Sequence, residues 1–187
     1  RIPANLVVAG IGVIPNTELA KNAGLEVGNG ILVDKHLRTS DPDIFAIGDC
    51  SDHPSIFANE LAGGRARLES VQNAVDQAKS VARAITGQPA PYRDVPWFWT
   101  DQHEIRFQMA GLSAGHDHYA VRGSVEGRKF SVFYFKDGRL LAADSINRFG
   151  DHLAVRKMLA AGTPLTAEQA ADEVVDLKKL AAATAVA

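Results

Sequence analysis

Short apolar runs and one long helical pattern make up the first half of the chain. The runs predict buried strands at 6–11, 31–34 and 44–47, because short stretches of apolar and β-branched residues are typical of parallel sheets. A short helix is predicted near 17–23. Strands and helices that alternate in this way indicate an α/β unit.

The long helical pattern lies at 70–86. Its apolar residues recur at three- and four-residue spacing: Val71, Ala74, Val75, Ala78, Val81, Ala82 and Ile85. Residues with this spacing share one face of a helix, so we expect the helix to bury that face against the sheet. Between Asp49 and Glu69, just before the helix, the segment from His53 to Arg65 is predicted to be a surface loop.

A stretch rich in proline and glycine at 87–95 interrupts these patterns and predicts a domain boundary. An Asp137-Gly138 pair in the second half favours a type I′ hairpin, in which both residues take positive φ. A helix is predicted at 149–161, ended by Gly162 and followed by an alanine-rich amphipathic tail. Four further segments have the strand character of an antiparallel meander: 104–110, 118–125, 129–136 and 139–147. The second half is therefore predicted to be α+β.

Composition excludes several classes of function. The 187 residues are 46% hydrophobic and 22% charged, which is enough for one or two cores of ordinary size. A net charge of −2 gives no general attraction to nucleic acid or to an anionic membrane. No apolar stretch approaches the ~20 residues needed to cross a bilayer. We therefore expect no nucleic-acid partner, no membrane partner and a cytoplasmic location.

The single cysteine, Cys50, excludes an internal disulfide and a Cys-x-x-Cys redox pair. We expect it to be a small buried thiol. His116 and His118 lie two residues apart but lack the further ligands of a dependable metal site, so we expect a solvated loop and no metal. No Ser/His/Asp grouping or paired acid and base requires a catalytic residue.

One candidate binding site follows the predicted strand 44–47. Gly48 lets the backbone approach a ligand closely, and Asp49 stands at the carboxyl end of the strand. Ligands of open α/β sheets bind at that end, where a carboxylate accepts hydrogen bonds from sugar or ribityl hydroxyls. A turn that merely ends the strand is the alternative interpretation.

Several motifs together resemble one family. Residues 30–34 and 39–50 resemble the second flavin motif of flavoprotein reductases with two dinucleotide-binding domains. Residues 6–20 resemble the segment that returns from the NAD domain to the FAD domain. Residues 69–79 and 96–102 resemble the FAD-dependent ferredoxin reductases that serve oxygenases, including the putidaredoxin reductase and biphenyl dioxygenase reductase types.

The resemblance implies a division of the chain. Residues 1–88 would be the C-terminal part of a Rossmann-like FAD/NAD(P)-binding domain, in which 1–12 return from the NAD domain. Residues 89–95 would be a linker, and 96–187 an α+β C-terminal domain with an antiparallel sheet and helices.

The glycine-rich phosphate turn of these reductases is missing. Gly10 and Gly12 begin a similar pattern, but Pro15 stands at the position of its third glycine. We therefore expect the chain to be the C-terminal part of a longer reductase.

The resemblance also implies roles for single residues. Gly48 and Asp49 would hold the ribityl chain of FAD. Ser70 and Val71 would begin a helix whose unpaired backbone N–H groups face the flavin pyrimidine, although core packing of the Val71 side chain is an alternative. Trp99 would lie near the isoalloxazine, close to the docking position of the iron–sulfur partner. Trp97, which flanks Phe98 on the other side, would serve in packing.

The implied activity is electron transfer from NADH through FAD to a [2Fe–2S] ferredoxin that serves a dioxygenase or a P450, with NAD(P)H as substrate. Basic residues would steer an acidic ferredoxin, and Lys79, Arg65 and Arg67 are the candidates, with ordinary surface charge as the alternative. The preference between NADH and NADPH is open, and so is oligomeric state, with a homodimer as one option.

Two other hypotheses stay open. The chain could be an inactive, flavin-free fragment that acts as a dimerisation or docking module. Alternatively, the parent flavoenzyme could use rubredoxin, nitrite or oxygen as its acceptor. The Trp-Phe-Trp-Thr-Asp-Gln run favours the oxygenase-linked branch.

Overall fold

The computed structural model describes residues 2–58 and 62–183. Its first part contains helix α1 (Glu18–Asn22), strands β1 (Ile31–Leu32), β2 (Ser51–Pro54) and β3 (Arg65–Ala66), and helix α2 (Val71–Ile85). The strands form a small sheet in the order β1-β2-β3, with β1 parallel to β2 and β2 antiparallel to β3. Short 3₁₀ turns at Gly48–Cys50 and Ala62–Gly64 precede β2 and β3.

The second part is a five-stranded antiparallel sheet covered by helices. Its strands are β4 (Trp97–Gln102), β5 (Ile105–Gly111), β6 (His118–Ser124), β7 (Lys129–Lys136) and β8 (Arg139–Ile146). They lie in the order β4-β5-β8-β7-β6, which leaves β4 at an edge. Three helices follow: α3 (Phe149–Ala161), α4 (Ala167–Ala171) and α5 (Leu177–Ala183).

Local sequence explains why this second part forms as predicted. Asp137 and Gly138 both have positive φ, at 49° and 75°, which confirms the hairpin between β7 and β8. Alternate residues of β7 point inward, and Phe133 and Phe135 are almost wholly buried. Helix α3 packs on this face and ends at Gly162 in the left-handed conformation. The α+β prediction is confirmed. The predicted meander of the last four strands was wrong in its order, because β5 pairs with β8 and not with β6.

Two predicted strands of the first part are absent. Residues 6–11 have no regular structure and expose their apolar side chains. Residues 44–47 make one isolated bridge, between Phe45 and Arg38, and the strand falls instead at β2. The predicted surface loop from His53 to Arg65 was wrong at its two ends, since residues 53–54 belong to β2 and residue 65 belongs to β3. Strand pairing depends on distant partners, which a local pattern does not identify.

The buried face of α2 was also predicted wrongly. Its apolar residues Val71, Val75 and Ile85 are 68%, 45% and 70% exposed. Of the seven predicted residues only Val81 is buried, and the other buried side chains of the helix are three amides, namely Gln72, Asn73 and Gln77. Strands β1, β2 and β3 contain only 2, 4 and 2 residues, so they offer little surface to cover a second face.

Two smaller expectations concern single segments. Cys50 is half-buried rather than buried, which corrects the expectation of a buried thiol. The predicted linker at 89–95 has no regular structure, yet Tyr92 packs into the first part and its backbone N–H donates to the Lys35 carbonyl at 2.8 Å. The domain division itself stays a prediction.

Candidate functional site

The turn at Gly48 is fixed on α2 by a buried amide. Gly48 has a φ of 74°, a conformation that favours glycine, and its N–H donates to Gln77 Oε1 at 2.7 Å. Ser51 Oγ lies 2.9 Å from the same oxygen. Asp49, the next residue, is exposed, and within 2–58 and 62–183 its carboxylate has no hydrogen-bond partner. The hydrogen-bonded turn therefore exposes the Asp49 carboxylate, which is available to bind a ligand.

The start of α2 lies beside this turn and has unpaired donors. Ser70 is the N-cap, and its hydroxyl accepts the Asn73 N–H at 3.1 Å. The N–H groups of Val71 and Gln72 find no acceptor in the part of the chain that the structure describes. Because the helix macrodipole is positive at this end, the two amides suit a ligand with partial or full negative charge. The Val71 side chain is 68% exposed, so no described residue buries it.

Sequence reasoning missed the amide side chains that hold the site together. Gln72 Oε1 accepts the backbone N–H of Trp97 at 3.2 Å, which connects α2 to β4. Asn73 donates to the Leu68 carbonyl and accepts from Tyr92 Oη, both at 3.1 Å. The available signal was the i, i+4 spacing of Asn73 and Gln77, which places two amides on one face of a helix.

A buried histidine supports Gln77 from the other side. His53 Nδ1 lies 3.3 Å from Gln77 Nε2, and the imidazole is almost fully enclosed. Burial lowers the pKa of His53 to about 4, while Asp52 acts to raise it and Arg65 to lower it. The ring is therefore neutral at neutral pH.

The two tryptophans of β4 stack against each other on one face of the strand. Their ring centroids are 5.3 Å apart, with 29° between the planes. Trp97 packs on the core of the second part, as expected, and Trp99 is 39% exposed. A cavity of about 210 Å³ opens between β4 and the start of α2, with this lining: Leu68, Glu69, Ser70, Pro96, Trp97, Phe98, Met109, Gly111 and Leu112.

The three basic candidates have different surroundings. Arg65 pairs with Asp52 at 3.1 Å and also donates to the Val33 carbonyl. Arg67 pairs with Glu69 at 2.5 Å, donates to the Asp49 carbonyl, and has a side chain only 10% exposed. Lys79 is 63% exposed and makes one surface pair with Asp76 at 3.2 Å.

Arg65 and Arg67 therefore stabilise the region of the turn at Gly48. Lys79 offers its charge to solvent.

The geometry fits the ring and ribityl end of a flavin. The site combines an unpaired carboxylate, unpaired amides at a helix start and the exposed Trp99 on β4, the strand that borders the cavity. Among the described residues, no group of three or more His, Cys, Asp or Glu could hold a metal ion. No helix in the same part of the chain is long and apolar enough to span a membrane.

Two family models match the chain in succession. The model for pyridine nucleotide-disulphide oxidoreductases matches residues 1–78, and the model for the reductase C-terminal domain matches residues 97–181. Rhodocoxin reductase of Rhodococcus erythropolis is 55% identical over 179 residues, which cover 95% of this chain and 40% of that protein. Putidaredoxin reductase of Pseudomonas putida is 44% identical over 183 residues, with 98% and 42% covered.

Solved structures agree with these matches. A ferredoxin reductase of Rhodopseudomonas palustris has a TM-score of 0.89 at 50% identity, over 96% of this chain and 44% of its own. The covalent putidaredoxin reductase–putidaredoxin complex has a TM-score of 0.89 at 42% identity, over 100% of this chain and 44% of that chain. The chain spans less than half the length of these relatives and corresponds to their C-terminal portion.

Proposed function

Because this chain belongs to the putidaredoxin-type ferredoxin reductases, we propose that it forms the flavin-ring and acceptor-facing part of an NADH-dependent ferredoxin reductase. The uncommitted amides of Val71 and Gln72 beside the unpaired Asp49 carboxylate are the observation that carries the proposal. FAD, when bound, would supply the chemistry by accepting a hydride and releasing electrons singly to a [2Fe–2S] ferredoxin.

Each residue of the site has a distinct task in this proposal. Asp49 accepts hydrogen bonds from the ribityl hydroxyls, and Gly48 lets the backbone come close enough for that contact. The amides of Val71 and Gln72 donate to the pyrimidine edge, where the helix end stabilises negative charge. Trp99 covers the ring from solvent at the side where the ferredoxin approaches.

The test joins this chain to the remaining N-terminal portion of rhodocoxin reductase, its 55% identical relative. We expect the purified chimera to contain FAD, measured by its visible absorption per mole of protein. Asp49→Ala should lower the FAD content several-fold, since a buried polar contact to a ligand contributes about 1–3 kcal/mol. Asp43→Ala, an exposed carboxylate of the same loop, is the matched control. Equal FAD content in both variants would contradict the role of Asp49.

Lys79 is proposed as the docking cation, since its charge is the most exposed of the three candidates. Lys79→Glu in the chimera should slow reduction of the [2Fe–2S] ferredoxin by roughly tenfold, because one charge pair at an interface contributes about 1–2 kcal/mol. Reduction of a small artificial acceptor should not change. Lys21→Glu on α1 is the control, and an equal loss with both acceptors would contradict docking at Lys79.

A second candidate function is that of a flavin-free docking module. The observation that favours it is the large core of the second part, none of whose buried cluster residues lines the cavity of the site. A chimera that stays colourless would support this alternative. Rubredoxin tested beside the ferredoxin would decide between the two acceptors, and a cytoplasmic location stays a prediction.

A further inference from the structure

Trp97 is held from three directions by aromatic and cationic groups. Trp99 stacks on it, and the Arg156 guanidinium lies over its ring with Cζ 4.1 Å from the centroid. The His152 ring is tilted against it with the centroids 5.7 Å apart. The backbone N–H of Trp97 donates to Gln72 Oε1, so residues of both α2 and α3 contact Trp97.

Among the described residues, the Arg156 guanidinium has no partner that competes with Trp97. In the part of the chain that the structure describes, no hydrogen bond or ion pair holds its guanidinium, and Asp76 acts on it only at longer range. The side chain is half-buried and lines a cleft of about 330 Å³ with Asp76, Asp94 and Trp97. The Arg156 guanidinium therefore interacts with the face of the Trp97 ring.

His152 is an uncharged ring that packs against Trp97. It is 1% exposed, and neither ring nitrogen has a partner among the described residues. Burial, and then the neighbouring Arg156 charge, lower its pKa to about 4. The neutral imidazole packs against Trp97 but forms no hydrogen bond with it. The orientation of the indole therefore depends on Arg156 and Trp99.

We propose that Arg156 is a positioning residue whose guanidinium, placed over the Trp97 ring, fixes the orientation of the Trp97–Trp99 pair. Through that pair it sets the angle at which Trp99 faces the start of α2. A planar guanidinium suits this role because it stacks on an indole face, whereas an ammonium acts as a point charge. The second step rests on the proposed function, while the orientation of the pair does not.

The experiment measures circular dichroism of the purified protein without FAD, since two stacked indoles give an exciton couplet that depends on their mutual angle. Trp97→Phe calibrates the signal by removing one partner. Arg156→Met should lower the couplet amplitude by roughly twofold, because the cation–π contact that restrains the ring is lost. Lys157→Met is the matched control, since this exposed neighbour on α3 makes no cation–π contact with Trp97. An unchanged couplet in Arg156→Met would overturn the proposal.

Arg156→Lys separates positioning from docking. If Arg156 positions the pair, the lysine variant should have a couplet between those of the wild type and Arg156→Met, because charge is kept and planar stacking is lost. If its charge only attracted a ferredoxin, both couplets would equal that of the wild type, and the proposal would fail. Should Arg156→Met not fold, as judged by loss of its helical signal, Arg156→Lys alone decides in the same way. Failure of FAD to bind would leave these spectra unaffected, so the two proposals fail separately.

Discussion

The two parts of the molecule are stabilised in different ways. The five-stranded sheet and its helices bury a cluster of thirteen hydrophobic residues, which includes Phe133, Val155 and Met158. Among its described residues, the first part buries a cluster of five hydrophobic residues and relies on polar contacts from Gln77, Asn73 and their neighbours. The candidate site therefore joins the turn and helix start of the part with the smaller core to β4 of the part with the larger core.

This difference explains why α2 exposes its apolar face. A helix gains most of its stability by burying an amphipathic face, and here the buried face is the amide-bearing one. Buried amides contribute only when each is hydrogen-bonded, and those of Gln77 and Asn73 are. In the first part, hydrogen-bonded amides rather than hydrophobic burial fix the turn at Gly48. Four changes test this comparison, from the largest expected effect to the smallest.

Phe133→Ala tests the large core. Phe133 is fully buried, so its truncation should lower the free energy of unfolding by about 3–5 kcal/mol, as measured by urea denaturation. Phe98→Ala is the control, because Phe98 is 38% exposed on the edge strand and its loss should cost about 1 kcal/mol. Similar costs for both would contradict the description of the second core.

The buried histidines test both parts through pH. His53 and His152 have a pKa of about 4, against 6.5 in an unfolded chain, so the unfolded state binds more protons between these values. Stability should therefore fall as pH drops from 6.5 towards 4, by up to ~1.4 kcal/mol per unit for each histidine. His53→Gln and His152→Gln should each remove about half of this slope. A slope that neither variant changes would show that other groups cause it.

Gln77→Met tests the polar organisation of the first part. The variant keeps the length of the side chain but leaves the Gly48 N–H without its acceptor. We expect a loss of about 1–3 kcal/mol in urea denaturation, together with weaker FAD retention in the chimera. Gln88→Met, at an exposed position, is the control. Full stability in Gln77→Met would mean that the amide does not fix the turn.

Val75→Lys tests the exposed face of α2. Val75 is 45% exposed, so the change should alter the stability of this chain by less than ~0.5 kcal/mol. In the chimera, where added residues can cover the face, the same change should cost about 1–3 kcal/mol. Equal effects in the two proteins would mean that nothing packs on this face of the helix.

Sequence reasoning succeeded where local signals decide the structure. The Asp137-Gly138 turn, the strand at 129–136 and the helix at 149–161 were all predicted at the observed residues. Turn chemistry and a cap act over a few residues, so a single sequence contains them. The order of the strands depends on distant pairings, and the predicted meander was wrong because β5 pairs with β8 rather than with β6.

The candidate site was predicted less completely. The motif at Gly48 and Asp49 indicated a ligand-facing turn, but its support by Gln77 lies 29 residues away in sequence. Periodicity correctly grouped Val71 with Val75 on one face of α2. It could not tell which face a neighbouring element would cover, because that depends on which neighbours are present.

The structure of the FAD-loaded chimera tests the central claim most directly. The account predicts that the flavin pyrimidine edge lies about 3 Å from the amide nitrogens of Val71 and Gln72, with Asp49 at the ribityl chain. It also predicts that Trp99 faces the isoalloxazine. A flavin whose ring lies away from the start of α2, with these amides still unpaired, would contradict the account.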